Sequence, residues 1–157
     1  MLPKRVYAKV NLDNIQKNLE AVKRVLPENT EIMGIVKANA YGHGALEVSS
    51  FLQETGITRF GVASVGEAVE LRKNGITGSI LVLGELFKEN AQLALDYDIE
   101  CTVANFETAK YLSELASKSE KKASIHIKID TGMGRIGFRT TDDELETINR
   151  IFELENV

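Results

Sequence analysis

Short apolar runs alternate with amphipathic segments along this chain, which predicts an α/β fold of parallel strands joined by right-handed helical crossovers. Three observations carry that prediction. The apolar runs have strand length and little polar interruption, as strands covered on both faces do. Between them, apolar residues return at helical spacing behind capping signatures. No low-complexity linker, repeat or defensible domain boundary breaks the rhythm over 157 residues, so one domain is expected.

The elements follow in order. A first strand is expected at about 5–11, then a helix on which Leu12, Ile15, Leu19, Val22 and Leu26 recur, with Asp13 and Gln16 as a capping box. A strand at about 31–36 ends at Lys37, and a helix runs from near Gly44 to Thr55 with Gly56 as its stop. Arg59–Ala63 reads as a strand. Ser64-Val65-Gly66-Glu67 is a second capping box, opening a helix that Asn74-Gly75 closes. Ile80–Gly84 is a buried strand, followed by a helix at about 88–96, a strand at 99–104 and a helix from Asn105 to about Ser117. Ser124–Asp130 forms the last strand, and Thr141-Asp142-Asp143-Glu144 caps a final helix running to the end of the chain.

Two architectures satisfy this alternation: an open doubly wound sheet, or part of a (β/α)8 TIM-type barrel. A complete barrel takes about 250 residues. The chain offers about six strands, so in the barrel reading it is a partial barrel whose unpaired edges invite association.

Composition narrows the function classes. The chain is 43% hydrophobic and 27% charged, with a net charge of -4 and both signs interspersed, as in a soluble globular protein. Nucleic acid and anionic membranes call for a basic face, so neither is expected as a partner. Met1-Leu2-Pro3-Lys4-Arg5 leads straight toward the first strand without an apolar signal region or twin-arginine signal, and no run nears the length of a membrane span. The single cysteine, Cys101, excludes an internal disulfide framework, suits a reducing cytoplasm and reads as a buried inert thiol. No metal site is expected.

Two segments carry chemistry. In Ile32–Gly44, an apolar strand delivers Lys37 to its C-terminal edge, where α/β sheets place their reactive groups, and Tyr41 and Gly42-His43-Gly44 follow at once. Lysine forms a Schiff base with a carbonyl when its pKa is lowered by desolvation or a neighbouring cation. The plainer reading is a lysine that ends a strand and reaches for water. In the second segment, Lys128–Phe138, alternation puts His126, Lys128 and Asp130 on one strand face and Ile125, Ile127 and Ile129 on the other. Polar residues there must pair or line a ligand site. The glycine-rich turn then presents Arg135, a fork for carboxylate or phosphate. His43 and His126 read as a turn residue and a satisfied interior histidine.

Gly132-Met133-Gly134-Arg135-Ile136-Gly137 also matches G-x-G-x-x-G, which suggests a phosphate or dinucleotide binder. That fingerprint requires a helix opening within the motif, and Phe138-Arg139-Thr140 intervenes before the next cap.

Val36-Lys37-Ala38-Asn39-Ala40-Tyr41-Gly42-His43-Gly44 resembles the cofactor-lysine signature of bacterial alanine racemases, and Lys128–Gly137 resembles that family's second signature, in order and at a fitting distance. Tyr7–Asp13 and Leu81–Gly84 are similar to it too, so the resemblance covers the whole chain. It implies a fold-type III barrel enzyme that interconverts L- and D-alanine with pyridoxal 5'-phosphate, supplying D-alanine for peptidoglycan from the cytoplasm as a homodimer. By the same resemblance, Lys37 would hold the cofactor as a Schiff base and act as the base on the D-alanine side. Tyr41 would reach the cofactor phosphate, Leu83 would line its pocket, and Arg135 would bond its phenolic oxygen and the substrate carboxylate. Lys128 matches a position carbamylated in some members, which would orient Arg135. Family members are more than twice this long. Residues 1–157 would therefore be the N-terminal part of the cofactor-binding barrel, without the phosphate-holding loops, the arginine at the pyridine nitrogen, the partner subunit's tyrosine base and the C-terminal β domain. The expectation is an inactive fragment needing its missing half or a second subunit; the alternative is a non-catalytic cofactor-binding module of the same superfamily.

Overall fold

The computed structural model describes residues 6–157. Five parallel strands, β1 (Met33–Ile35), β2 (Arg59–Val62), β3 (Ser79–Val82), β4 (Glu100–Val103) and β5 (Ile125–Ile127), lie in the order β1-β2-β3-β4-β5. Each strand's spatial neighbour is thus its sequence neighbour. Right-handed crossovers between sequential parallel strands put every connecting helix on the same face, which is the winding of a barrel and not of a doubly wound sheet. The sheet is a five-stranded arc of a TIM-type barrel.

The register divides its two faces. Phe60, Val62, Ile80, Val82 and Val103 point toward the helices and are 0–1% exposed. They meet Ala68 and Leu71 of α4 (Val65–Lys73), Ala91 and Leu95 of α5 (Lys88–Asp96) and Leu112 of α6 (Phe106–Lys118) in one apolar core. The opposite, concave face carries Ile35, Gly61, Leu81 and Glu100, which stand in register. A Cβ on Gly61 would lie 2.7 Å from Ile35 Cδ1 and 3.3 Å from both Leu83 Cδ1 and Met33 Sδ, so this glycine makes room for three apolar side chains.

Several local expectations hold because their signals are local. Asn105 Oδ1 accepts from Thr108 N at 2.8 Å and caps α6, and Ser64 Oγ accepts from Glu67 N at 3.3 Å at the start of α4. Helix α3 (Ala45–Glu54) closes before Gly56, whose φ is +90°.

Others are corrected. Val6–Asn11 form no strand, and Val6 and Tyr7 stand 88% and 77% exposed with no ladder to join; Arg5 lies outside the described residues. The cap of α1 (Leu12–Lys23) is Asn11, whose side chain accepts from Asp13 N at 2.9 Å, while Gln16 bonds Glu20 along the helix surface. The last strand stops at Ile127, short of Asp130; beyond it come one further bond, from Lys128 N to Val103 O, and an isolated bridge from Ile129 to Phe138. Helix α7 (Asp142–Phe152) begins without a side-chain cap bond from Thr141, and the Glu144 carboxylate, expected to complete a capping box, accepts from Arg139 N. The helix also ends before the chain does: Ala123 N donates to Asn156 O at 2.8 Å, turning the last residues back toward β5.

Candidate active site

The residues singled out in the first segment sit on a backbone feature with no glycine to announce it. Beyond β1, Val36 N still donates to Gly61 O at 2.9 Å, so the ladder runs one residue further and delivers Lys37 to the sheet's C-terminal rim. Lys37 then opens a short helix, α2 (Lys37–Gly42), in which Ala38, Asn39, Ala40 and Tyr41 all have φ of 50–56°. Left-handed backbone costs roughly 1–2 kcal/mol for each L-residue with a Cβ, so this turn persists only because its surroundings dictate it. Ala40 N donates to Val36 O at 2.8 Å, the His43 ring Nδ1 bonds Ala40 O at 2.8 Å, and the Asn39 side chain accepts from Ala45 N at 2.8 Å, tying the turn to α3. His43 is therefore a turn residue. The fourth restraint is distant in sequence: Glu67 Oε1 accepts from Ala38 N at 2.9 Å, and Oε2 accepts from Ala63 N at 2.7 Å.

The same rim receives two more of the residues singled out above. Leu83 N donates to Val62 O at 2.8 Å, and Lys128 N to Val103 O at 2.9 Å, extending β3 and β5 as Val36 extends β1. Lys37, Leu83 and Lys128 are half-buried, whereas Tyr41 (61% exposed) and Arg135 face solvent. Among the described residues, no hydrogen bond or ion pair engages the Lys37 amine, the Lys128 amine or the Arg135 guanidinium. Nor does any side-chain bond join these residues to one another. The edge positions of β1 and β5 explain the gap: four strand spacings separate them, about 19 Å along the arc.

Arg135 rides on a closed loop. The Asp130 carboxylate accepts from Gly132 N and Gly134 N, each at 3.0 Å, and these amides, Gly134 first, hold its carboxyl below the usual carboxylate range. Asp130 N donates to Phe138 O at 2.7 Å and Phe138 N to Lys128 O at 2.8 Å, so the chain returns on itself. At Gly137 (φ +129°), a Cβ would stand 2.8 Å from Asp130 N. Of the three polar residues expected on one strand face, His126 and Lys128 stay there, while Asp130 has become the hub of this loop. The first helix beyond the glycines starts at Asp142 with Asp142, Asp143 and Glu144 in its first turn, a field that repels phosphate.

The concave face beneath the rim has its own polar row. Arg59 Nε meets Glu31 at 2.9 Å, and Glu100, 16% exposed, lies 4.0 Å from Arg59 and 2.8 Å from His126 Nε2. His126 is thus satisfied by a carboxylate from the neighbouring strand. The sequence concealed both this row and the Glu67 link, since each joins residues far apart along the chain.

A sequence model described as alanine racemase, N-terminal domain, matches residues 10–157. The chain belongs to the alanine racemase family. It is 43% identical over 152 residues to the alanine racemase of Clostridium tetani, covering 97% of this chain and 39% of that protein. Against the alanine racemase of Methanococcus maripaludis it is 41% identical over 157 residues, 42% of that protein's length. The alanine racemase of Clostridium difficile 630, solved in complex with cycloserine, superposes with a TM-score of 0.92 at 41% identity, over 94% of this chain and 40% of that one. A histidine racemase from Leuconostoc mesenteroides superposes with a TM-score of 0.83 at 30% identity. The chain spans about two fifths of the length of these relatives.

The donor set suits the cofactor that the family signature implies. Pyridoxal phosphate needs one unpaired primary amine and cations or hydroxyl groups for its oxygens; Lys37 carries such an amine, and Tyr41, Lys128 and Arg135 carry groups of the second kind. No group of three His, Cys, Asp or Glu side chains able to hold a metal occurs among the described residues. The Cys101 thiol is buried within the core, and burial pushes it up to about 11.

Proposed function

We propose that residues 1–157 form the N-terminal part of the cofactor-binding barrel of a pyridoxal phosphate-dependent racemase that interconverts L- and D-alanine. The observation that carries this reading is Lys37: an amine without a partner among the described residues, set at the C-terminal rim by a strained turn. Bound there, pyridoxal phosphate would supply the electron sink that acidifies the amino acid's Cα proton. Lys37 Nζ would attach the cofactor and move that proton on the D-alanine side. The Tyr41 hydroxyl would donate to the cofactor phosphate, and Leu83 would keep water from the ring. Arg135 would hold the substrate carboxylate and the cofactor's phenolic oxygen, with Lys128, once carbamylated, orienting its guanidinium by charge. A base for the opposite face, further phosphate contacts and closure of the barrel are assigned to the rest of a longer protein and to a second subunit. No helix among the described residues is long and apolar enough to cross a membrane, and the buried thiol of Cys101 fits a cytoplasmic location, with the product serving peptidoglycan synthesis.

The test is an absorption spectrum with added pyridoxal phosphate, then borohydride reduction and peptide mapping, with Lys37→Ala as control. The reading expects a reduced adduct on Lys37. Racemisation is then measured with alanine, serine and histidine on a version extended to the length of the relatives. An adduct without turnover there identifies a non-catalytic cofactor-binding module, and no adduct in the extended version defeats the reading.

A further inference from the structure

In a capping box, the acidic residue at the third helical position bonds back to the cap residue's own amide. Glu67 occupies that position in α4 but does something else. One carboxylate oxygen takes the amide of Ala63, just past β2, and the other takes the amide of Ala38, the residue that follows Lys37 and begins the left-handed turn. Glu67 is half-buried between these two strand ends. Among the described residues, Ala38 N has no other acceptor. The remaining restraints on the turn act at Asn39, Ala40 and His43, so the residue adjoining the reactive amine is held by this one carboxylate.

We propose that Glu67 is a positioning residue for Lys37: by bonding the amides of Ala38 and Ala63 together, it fixes the turn that holds the Lys37 amine at the rim. This rests on the reading of Lys37 as the cofactor lysine. A carboxylate is required because two N–H donors converge on it; an amide side chain would turn its own N–H toward one of them.

The experiment compares the chain with Glu67→Gln, and with Glu70→Gln as a control. Glu70 lies on the same helix, is exposed, and its carboxylate accepts no hydrogen bond among the described residues. Amide hydrogen exchange is read at Ala38 and Ala63, with Leu83 as an internal reference for the folded sheet. The rate of adduct formation with pyridoxal phosphate is read at Lys37 against that at exposed lysines. Glu67→Gln is expected to speed exchange at least tenfold at Ala38 and Ala63 and not at Leu83. It is also expected to slow attachment at Lys37 at least tenfold while other lysines react as before. Glu70→Gln should change neither. Unchanged exchange at Ala38 overturns the proposal. So does faster exchange with an unaltered rate at Lys37, which reduces Glu67 to a structural cap. If Glu67→Gln also speeds exchange at Leu83, the milder Glu67→Asp takes its place under the same two criteria. If neither the unsubstituted chain nor its version extended to the length of the relatives takes an adduct at Lys37, the cofactor reading fails and the role of Glu67 goes with it. If only the extended version takes one, the comparison of Glu67→Gln with Glu70→Gln is made there under the same criteria.

Discussion

Asp130 shows how a polar residue can be expected to pair while its partners stay hidden in the sequence. A carboxylate beside Arg135 invites a ligand-binding role, yet its oxygen is engaged by the amides of Gly132 and Gly134. Those amides favour the charged form, so the folded-state pKa lies below the unfolded carboxylate value of about 3.9. A depressed carboxylate contributes stability that is present above the unfolded value and is lost as pH falls through the folded one. The Asp130 carboxyl should therefore titrate, by NMR, with a midpoint below about 3.9, and Asp130→Ala should speed exchange at Gly132 and Gly134. A midpoint at or above that value would show that the amides do not donate to it. The strand-end positions of Lys37 and Leu83 were legible in the sequence, since both close apolar runs. The sequence did not reveal what Asp130 or Glu67 bond, because one oxygen's partner depends on how two backbones approach.

At the scale of elements, legibility tracked the range of the forces involved. The caps of α4 and α6 were visible because Ser64 and Asn105 act within one helical turn. The left-handed turn was invisible: Ala38, Asn39, Ala40 and Tyr41 contain no glycine, and the restraint at Ala38 arrives from a residue 29 positions away. Arg72 was passed over for the same reason. From α4 its guanidinium donates to the carbonyls of Ile76, Gly78, Tyr97 and Asp98, clamping the loops that enter β3 and β4. Burial lowers its pKa against the pull of Asp98 and Glu100. Charged hydrogen bonds are individually worth more than neutral ones, and Arg72 makes four of them, so Arg72→Ala should cost about 2–4 kcal/mol. Thermal unfolding should register this as a fall of roughly 5–15 °C. Arg72→Lys should recover only part, since one ammonium cannot span four acceptors. A change within about 1 °C would refute the clamp.

For the molecule as a whole, the alternation of strands and helices was enough for the α/β class, and only the strand order separated an arc from a doubly wound sheet. Among the described residues, β1 and β5 each pair on one side, and Ile35 of β1 stands 39% exposed. Such edges are templates for another chain. The 157-residue chain is therefore expected to associate as concentration rises, which light scattering after size exclusion would detect; a monomer mass at every concentration would contradict it. The sequential strand order has one more consequence, for synthesis. Because every strand pairs with the strand just before it, each βα unit can dock on a finished neighbour as it emerges from the ribosome. Every closure is local, spanning only the one or two helices and the loops between consecutive strands. No apolar strand of this arc waits for a partner made much later, which is the period when nascent sheets aggregate. Only the outer side of β1 must wait.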